Sequence, residues 1–290
     1  MMLTMLNETY TLSNGVKIPK LGLGTWMIDD GTAGQAVRDA AAIGYRHFDT
    51  AQAYMNENGT GEGIRTCGVP RKELFITTKL AAEIKEYNLA VKAIDGSLQK
   101  MGLDYIDLMI IHSPRPWAQF RGEEPFFDGN REAYRALEDA YRAGKLRAIG
   151  VSNFEQPDME NILSSCTIPP AVNQILAHAG NTPFDLIAYN QSRGILVEAY
   201  SPIAHGVVLE NSQIKAVAGH YGVSVPQLCI RYCLQLDMLP LPKTANPRHM
   251  EINAAVDFTI SGRDMEILKN MEQIRDYGEA GAMPVFSEKR

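Results

Sequence analysis

YRHFDTAQAY, residues 45–54, begins as a short strand and then delivers two titratable side chains, Asp49 and Tyr54. Two later apolar segments end in the same way, because LFITTK closes on Lys79 and YIDLMIIH closes on His112. In a barrel of parallel strands, the carboxyl ends of all strands lie on one rim, where such barrels keep their active sites. The sequence therefore predicts that these four residues meet at one rim.

The alternation of strands and helices continues on both sides of this stretch. Short apolar runs without polar alternation, typical of parallel strands buried on both faces, recur eight times, each before a helical segment. This pattern predicts an α/β fold, a (β/α)8 TIM barrel, with residues 1–290 as a single domain. An open doubly wound sheet is the alternative, because spacing alone does not show closure. The strands are expected within residues 19–28, 45–51, 74–80, 105–114, 146–154, 171–176, 194–202 and 239–243.

Segments outside the eight units also have clear patterns. Alternating residues around Asn14-Gly15 predict an N-terminal β-hairpin that caps one end of the barrel. Residues 261–271 are typical of a final helix, and a tail follows from Asp276. Cys229 and Cys233 lie four residues apart on a predicted helix, where burial as small hydrophobic side chains is the favoured interpretation.

Composition excludes several classes of function. The net charge is −6 and no basic stripe stands out, which argues against a nucleic-acid partner. No apolar run approaches the roughly 18 residues of a membrane span, and the N-terminus lacks a basic start before an apolar block. The four cysteines show no metal-binding spacing, so no metal is expected. We therefore predict a cytoplasmic protein, and a monomer because no apolar stripe suggests self-association.

Taken in order, eight motifs resemble those of the aldo-keto reductases over nearly the whole chain, in particular the bacterial diketogluconate or glyoxal reductase-like members. That resemblance implies a TIM barrel that binds NADPH without a Rossmann fingerprint, and no G-x-G-x-x-G follows a strand here. The motifs are GLGTW (22–26), FDTAQAY (48–54), TTK (77–79), IHSP (111–114), LRAIGVSNF (146–154), VNQ (172–174), EAYSP (198–202) and LPKTANP (241–247).

The resemblance assigns a catalytic role to each of the four strand-end residues. Tyr54 would donate a proton to a carbonyl oxygen, although a phenol with a pKa near 10 is a poor acid at neutral pH. Lys79 would favour the phenolate and so ease proton release, and Asp49 would hold Lys79 charged and oriented. His112 would hydrogen-bond the carbonyl oxygen. Each residue alone has an ordinary structural explanation, but the four together favour catalysis.

The same resemblance implies a set of cofactor contacts on the later strands. Ser152, Asn153 and Gln174 would hydrogen-bond the nicotinamide carboxamide, and Tyr200 would stack on the ring. Lys243 would contact the 2′-phosphate. The full expected set is Gly24, Thr25, Asp49, Ser152, Asn153, Gln174, Tyr200, Ser201, Ile203, Lys243, Thr244, Asn246, His249 and Asn253.

Some positions depart from the family pattern. His249 stands where many members place an arginine, and Ile252 stands where many place a glutamate. A neutral histidine is a weaker phosphate partner than an arginine fork, so we expect NADPH because of Lys243 but regard NADH as possible. The segment ILAHAGNTP, residues 175–183, also departs and has no functional interpretation.

The substrate pocket is expected to be lined by Trp26, Met27, Tyr54, His112 and Trp117, with Phe120 a further candidate. Apolar walls with a polar floor suit a small aldehyde or ketone, such as methylglyoxal, another α-dicarbonyl or a keto sugar. Two alternatives stay open. One is a cofactor-binding regulatory barrel without turnover, and the other is a lyase or aldolase that uses Lys79 as a Schiff base.

Overall fold

The first element of the fold is an antiparallel hairpin, in a computed structural model that describes residues 4–287. Strand β1 (Thr9–Thr11) pairs with β2 (Lys17–Pro19). Gly15 in the turn has φ +84°, which glycine adopts without steric cost. Leu12 and Ile18 pack with apolar residues of the barrel strands, and the hairpin therefore covers the amino-terminal end of the barrel, as expected.

Eight parallel strands form the barrel, and the predicted TIM-barrel fold is confirmed. The first and last strands are joined by backbone hydrogen bonds, from Gly22 N to Pro240 O at 3.3 Å and from Gly24 N to Pro242 O at 3.0 Å. These bonds close the sheet and exclude the open alternative. The strands are β3 (Leu23–Gly24), β4 (His47–Asp49), β5 (Phe75–Leu80), β6 (Ile106–Ile111), β7 (Leu146–Ser152), β8 (Val172–Leu176), β9 (Leu196–Tyr200) and β10 (Leu239–Leu241).

A helix follows each barrel strand, two follow β9, and one more lies after the barrel. None of the helices among residues 4–287 is long and apolar enough to cross a membrane. The helices are α1 (Asp30–Ile43), α2 (Glu57–Thr66), α3 (Tyr87–Met101), α4 (Phe127–Arg142), α5 (Gln156–Leu163), α6 (Phe184–Gln191), α7 (Ser212–Tyr221), α8 (Val225–Gln235), α9 (Pro247–Ala254) and α10 (Gly262–Lys269).

The strands are buried on both faces, as their apolar sequences predicted. Every residue of β5 and β6 is buried, and the outward residues pack against the helices. Cys229 and Cys233 of α8 are both fully buried in the apolar layer around the barrel. Inside the barrel, polar residues concentrate towards the carboxyl ends of the strands, which places titratable groups under one rim.

Candidate active site

Lys79 lies at the centre of the polar group at the rim and is fully buried. Its Nζ donates hydrogen bonds to Asp49 Oδ1 at 2.6 Å, to the Thr50 carbonyl oxygen at 2.9 Å and to Tyr54 Oη at 3.1 Å. Asp49 is the last residue of β4, and Tyr54 ends the short 3-10 turn Gln52–Tyr54 after it. The structure thus brings Asp49, Lys79 and Tyr54 together in one hydrogen-bonded chain.

The surroundings of Lys79 keep it protonated. Burial alone would lower its pKa, but the carboxylate of Asp49 and the phenol of Tyr54 outweigh burial, and the pKa of Lys79 lies above its usual value. An ammonium group that uses all three hydrogens has no lone pair with which to attack a carbonyl carbon. This geometry argues against the Schiff-base alternative.

Tyr54 is held close to a cation, yet its pKa lies above the ordinary value for a phenol. Burial is the largest cause and raises it, Lys79 opposes that rise, and Asp49 adds to it. We expected Lys79 to ease release of the Tyr54 proton, and the ammonium does act in that direction, but here burial dominates. The phenol therefore carries its proton at neutral pH.

His112 follows β6 directly and packs against Tyr54, with ring centroids 5.5 Å apart and nearly perpendicular planes. Burial, and then the positive charge of Lys79, hold the pKa of His112 well below its usual value, so the imidazole is neutral. A neutral imidazole keeps one N–H that can donate to an oxygen. Trp117, from the loop after β6, also packs against His112, with ring centroids 5.0 Å apart.

These residues open into a cavity of about 570 Å³ at the carboxyl ends of the strands. Most of the expected site residues line it, namely Gly24, Trp26, Met27, Asp49, Tyr54, His112, Trp117, Ser152, Asn153, Gln174, Tyr200, Ser201, Ile203 and Lys243. The expected residues outside the lining are Thr25, Lys79, Thr244, Asn246, His249 and Asn253. Phe120 packs behind Trp117 at 5.7 Å and does not reach the cavity wall.

Three amide and hydroxyl side chains, at or just after the ends of β7 to β9, are held by hydrogen bonds within the protein. Asn153 Nδ2 donates to the His112 carbonyl oxygen at 3.0 Å, and its Oδ1 accepts from Tyr200 Oη at 2.7 Å. Gln174 Nε2 donates to Asp49 Oδ2 at 3.0 Å. Asn153 has φ +61°, a left-handed conformation that asparagine tolerates better than most residues. This part of the cavity wall is therefore polar and fixed.

The residues expected to contact a phosphate lie further out. Lys243 is exposed and follows β10, and no ion pair to it is found within residues 4–287. Asn246 caps α9 through its Oδ1, which accepts from Arg248 N at 2.9 Å, and Thr244 Oγ1 accepts from Asn246 N at 3.0 Å. His249 is exposed on the first turn of α9. Together they surround the amino terminus of α9, where a helix favours an anion.

Two of the expected residues have internal roles instead of facing the cavity. Thr25 is fully buried, and both its N and its Oγ1 donate to the Asp49 carbonyl oxygen, at 2.9 Å and 3.0 Å. Thr25 therefore holds the end of β4 in place. Asn253 is buried in α9, with 4% of its surface exposed.

Sequence reasoning missed the contribution of the tail. Residues 283–286 line the cavity, and Phe286 is almost fully buried there. The Phe286 ring lies 4.4 Å from His205, 6.0 Å from Trp26 and 5.2 Å from Tyr277, measured between centroids. The only signal in the sequence was the apolar MPVF (283–286) within an otherwise polar end of the chain. His205 was missed as well, because no motif marks it.

Segment 175–183, which had no interpretation, anchors this tail. His178 Nε2 lies 2.9 Å from Tyr277 Oη, and Ile274 N donates to the Gly180 carbonyl oxygen at 2.8 Å. Burial is the main cause that lowers the pKa of His178 to about 4, so the ring is neutral. The segment that departs from the family pattern thus binds the part of the tail that leads to the cavity.

Comparison with known proteins agrees with this geometry. A family model described as the aldo/keto reductase family matches residues 20–273. The glyoxal reductase of Bacillus subtilis (strain 168) is 39% identical over 265 residues, which cover 91% of this chain and 92% of that protein. The morphine 6-dehydrogenase of Pseudomonas putida is 35% identical over 276 residues, which cover 90% of each.

A solved structure shows the same architecture. The aldo-keto reductase of Bombyx mori in complex with NADP is 30% identical and superposes with a TM-score of 0.84. The match covers 97% of this chain and 99% of that one.

Proposed function

The chain belongs to the aldo-keto reductase family, and from this premise we propose that it reduces small aldehydes and ketones with NADPH, with Tyr54 as the proton donor. The family expected from the eight motifs is thereby confirmed, and the protein is an NAD(P)H-dependent carbonyl reductase. The residue roles, the NADPH form and the substrate are our proposal. The observation that carries it is the bonding of one buried ammonium to both Asp49 and Tyr54.

The proton side of the reaction follows from the three bonded residues. A bound reduced nicotinamide supplies a hydride for the carbonyl carbon. Tyr54 Oη gives its proton to the carbonyl oxygen, which leaves a phenolate 3.1 Å from the Lys79 ammonium. Opposite charges at that distance in a buried site attract strongly, so Lys79 stabilises the product side of the transfer. Asp49 keeps Lys79 in position and charged.

His112 orients the carbonyl group. Because its imidazole is neutral, it donates a hydrogen bond without transferring its own proton. Its ring is fixed between Tyr54 and Trp117, and both Tyr54 and His112 line the cavity. A carbonyl oxygen that accepts from both groups would be held in one place for attack on its carbon.

The residues present fit a nicotinamide cofactor. Gln174 faces the cavity with its amide nitrogen already engaged, so its side-chain oxygen can accept from a carboxamide NH2. Asn153 Oδ1 already accepts from Tyr200, and its second lone pair can accept a further hydrogen bond. Tyr200 lines the same wall, which suits ring stacking. We assign the 2′-phosphate to Lys243, Thr244, Asn246 and His249. The part of the cofactor between this phosphate and the nicotinamide would contact Ser201, Ile203 and Gly24. The cofactor would then be NADPH, with NADH as a weaker substitute.

The walls of the cavity support a small carbonyl substrate. Trp26, Met27, Trp117 and the tail residues are apolar, while Tyr54 and His112 form a polar floor. The glyoxal reductase among the relatives favours an α-dicarbonyl such as methylglyoxal over a keto sugar. Three predictions from sequence stay predictions, namely a single domain over residues 1–290, a monomer and a cytoplasmic location.

The test is oxidation of NADPH in the presence of methylglyoxal, followed by absorbance. We expect turnover by the wild type and a loss of about 10²–10⁴-fold in kcat for Tyr54→Phe, because the variant cannot donate the proton. The matched control is Tyr141→Phe, because Tyr141 of α4 lies outside the cavity lining and loses the same hydroxyl group. Retained NADPH binding by Tyr54→Phe would show that the loss is chemical.

Two outcomes would contradict the proposal. Equal turnover by the wild type and Tyr54→Phe would remove Tyr54 as the proton donor. Tight NADPH binding by the wild type without turnover over a panel of aldehydes would instead support the regulatory barrel.

A further inference from the structure

Glu198 is a buried carboxyl group that the proposed mechanism does not use. It belongs to β9 and is fully buried inside the barrel. Its Oε2 accepts a hydrogen bond from Gln174 Nε2 at 2.7 Å. Its Oε1 is buried with no partner among residues 4–287. Placing a carboxyl group there carries a cost in folding free energy, which calls for a functional reason.

One nitrogen joins Glu198 to the catalytic group. Gln174 Nε2 donates to Asp49 Oδ2 at 3.0 Å as well as to Glu198. Asp49 is bound through its other oxygen to Lys79 at 2.6 Å. A continuous chain of hydrogen bonds therefore runs from Glu198 through Gln174, Asp49 and Lys79 to Tyr54.

This arrangement fixes which end of the Gln174 amide faces the cavity. Asp49 is paired with the Lys79 ammonium and is therefore an acceptor only, so the amide atom beside it must be the nitrogen. Glu198 accepts the second hydrogen of that nitrogen. With both hydrogens engaged, the carbonyl oxygen of Gln174 is the polar atom left to meet a ligand in the cavity.

The charges around Glu198 come from two strands on the far side of the barrel. Burial raises the pKa of Glu198 to about 8, and the negative Asp49 adds to the rise, while the bond from Gln174 and the positive Lys79 oppose it. On the neighbouring strands it is paired in register with Gln174 of β8 and with the apolar Leu239 of β10. Glu198 thus changes its charge within a range of pH in which the enzyme can be studied.

We propose that Glu198 is a positioning residue that locks the Gln174 amide with its oxygen towards the nicotinamide carboxamide. The inference rests on the proposed function, because it assumes that a nicotinamide cofactor binds beside Gln174. Loss of the Glu198 acceptor would leave Asp49 alone to hold the amide nitrogen, so the amide could tilt and recognition of the nicotinamide end alone would weaken. The phosphate end, at Lys243 and α9, does not depend on Glu198.

The experiment compares two ligands by calorimetry, NADPH and 2′-phospho-ADP-ribose, which lacks the nicotinamide. We expect Glu198→Leu to weaken NADPH binding about tenfold and to leave binding of the fragment within about twofold. Glu198→Gln retains an acceptor and should keep NADPH within about threefold of the wild type. Val197→Ala is the control, because the Val197 side chain points to the opposite face of β9. This variant should change the affinity for neither ligand.

A second measurement does not require Glu198→Leu to fold. A charged carboxylate accepts a hydrogen bond more strongly than a neutral acid. Between pH 7 and 9 the ratio of NADPH to fragment affinity should therefore rise about two- to fivefold in the wild type and stay constant in Glu198→Gln.

Several results would overturn the inference. Equal losses of affinity for both ligands in Glu198→Leu would show a structural role only. Unchanged affinities for both ligands would show that Glu198 does not position Gln174. A wild-type ratio that does not change with pH, or a parallel change in Glu198→Gln, would also contradict it. Failure of the wild type to bind NADPH or NADH at all would instead overturn the proposed function, which separates the two ideas.

Discussion

The two sides of the barrel rim differ in how fully their charged groups are bonded in the protein alone. On the β4–β6 side, Lys79 is fully buried and donates three hydrogen bonds. At the end of β10, Lys243 is exposed and has no ion pair in the described part of the chain. We call these the proton side and the phosphate side. The same residue type has been placed in two opposite environments.

The difference fits the role that we propose for each side. Groups that act on a developing charge work best when they are oriented before the reaction and sheltered from water. Groups that bind a phosphate gain from an accessible cation, because the ligand brings the opposite charge itself. The proton side should therefore contribute to folding as well as to catalysis, whereas the phosphate side should contribute to binding alone.

The largest expected effect comes from Lys79→Met. Removing the ammonium leaves Asp49 buried and unpaired, which should lower the free energy of unfolding by about 3–5 kcal/mol. Reductase kcat should fall at least about 10²-fold, because the phenolate of Tyr54 loses its cation. Lys243→Met is the matched control and should change the free energy of unfolding by less than about 0.5 kcal/mol. Urea unfolding of both variants measures the contrast, and similar losses in the two would contradict it.

The next effect is acid lability on the proton side. Burial, and then Lys79, lower the pKa of His47 to about 3, and its Nε2 lies 3.0 Å from Thr77 Oγ1. The unfolded chain takes up this proton near pH 6.5, so protons favour the unfolded state. The stability present above pH 6.5 is lost as the pH falls towards 3. Between pH 6.5 and 4.5 we expect a loss of about 2 kcal/mol from His47.

Urea unfolding at a series of pH values measures this loss. His47→Gln can keep a hydrogen bond to Thr77 but has no titrating ring, so its stability should fall less steeply towards acid pH. His249→Gln, on the exposed phosphate side, serves as the control and should follow the wild type. A wild-type curve that is flat between pH 6.5 and 4.5 would rule out the buried neutral histidine.

A smaller effect is expected on the choice of cofactor. Lys243→Met should weaken NADPH binding about tenfold, because one charge-assisted contact to the 2′-phosphate is lost. NADH binding should change little, since NADH lacks that phosphate. His249→Arg should shift the preference the other way, towards NADPH, by a few-fold. Titration of both variants with both cofactors gives the four binding affinities. An equal loss of NADH affinity in Lys243→Met would show that Lys243 does not bind the 2′-phosphate.

Much of the proton side could be predicted from the sequence. Asp49, Lys79 and His112 lie at or beside the ends of regular strands, so the order of strands alone brings them to one rim. Glu198 escaped attention because its role depends on a contact with Gln174 across strands, which no local pattern reveals. The net pKa direction of Tyr54 also escaped, since burial around the ring is a property of the assembled barrel.

The tail could not be predicted for a related reason. Phe286 has no periodic neighbours in sequence, and its position depends on Tyr277, which is held by His178 at 2.9 Å from a segment about 100 residues away. Long-range contacts of single aromatic side chains leave almost no trace in a single sequence. Phe286 packs on Trp26 and His205 and belongs to neither the proton side nor the phosphate side. A substitution of Phe286 therefore tests whether the tail influences the proton side.

The smallest expected effect is that of Phe286→Ala. The ring packs 4.4 Å from His205 and 6.0 Å from Trp26, and aromatic pairs of this kind contribute about 0.5–1.5 kcal/mol each. Phe286 lines the cavity, so its loss should raise KM for methylglyoxal about threefold. The ring has no polar atom that could hold Tyr54 or Lys79, so kcat should stay near the wild-type value. Phe184→Ala is the matched control, because Phe184 of α6 is an exposed phenylalanine outside the cavity lining, and it should leave KM unchanged. A fall in kcat for Phe286→Ala would show that the tail acts on the proton side, and the division of the rim would have to be redrawn.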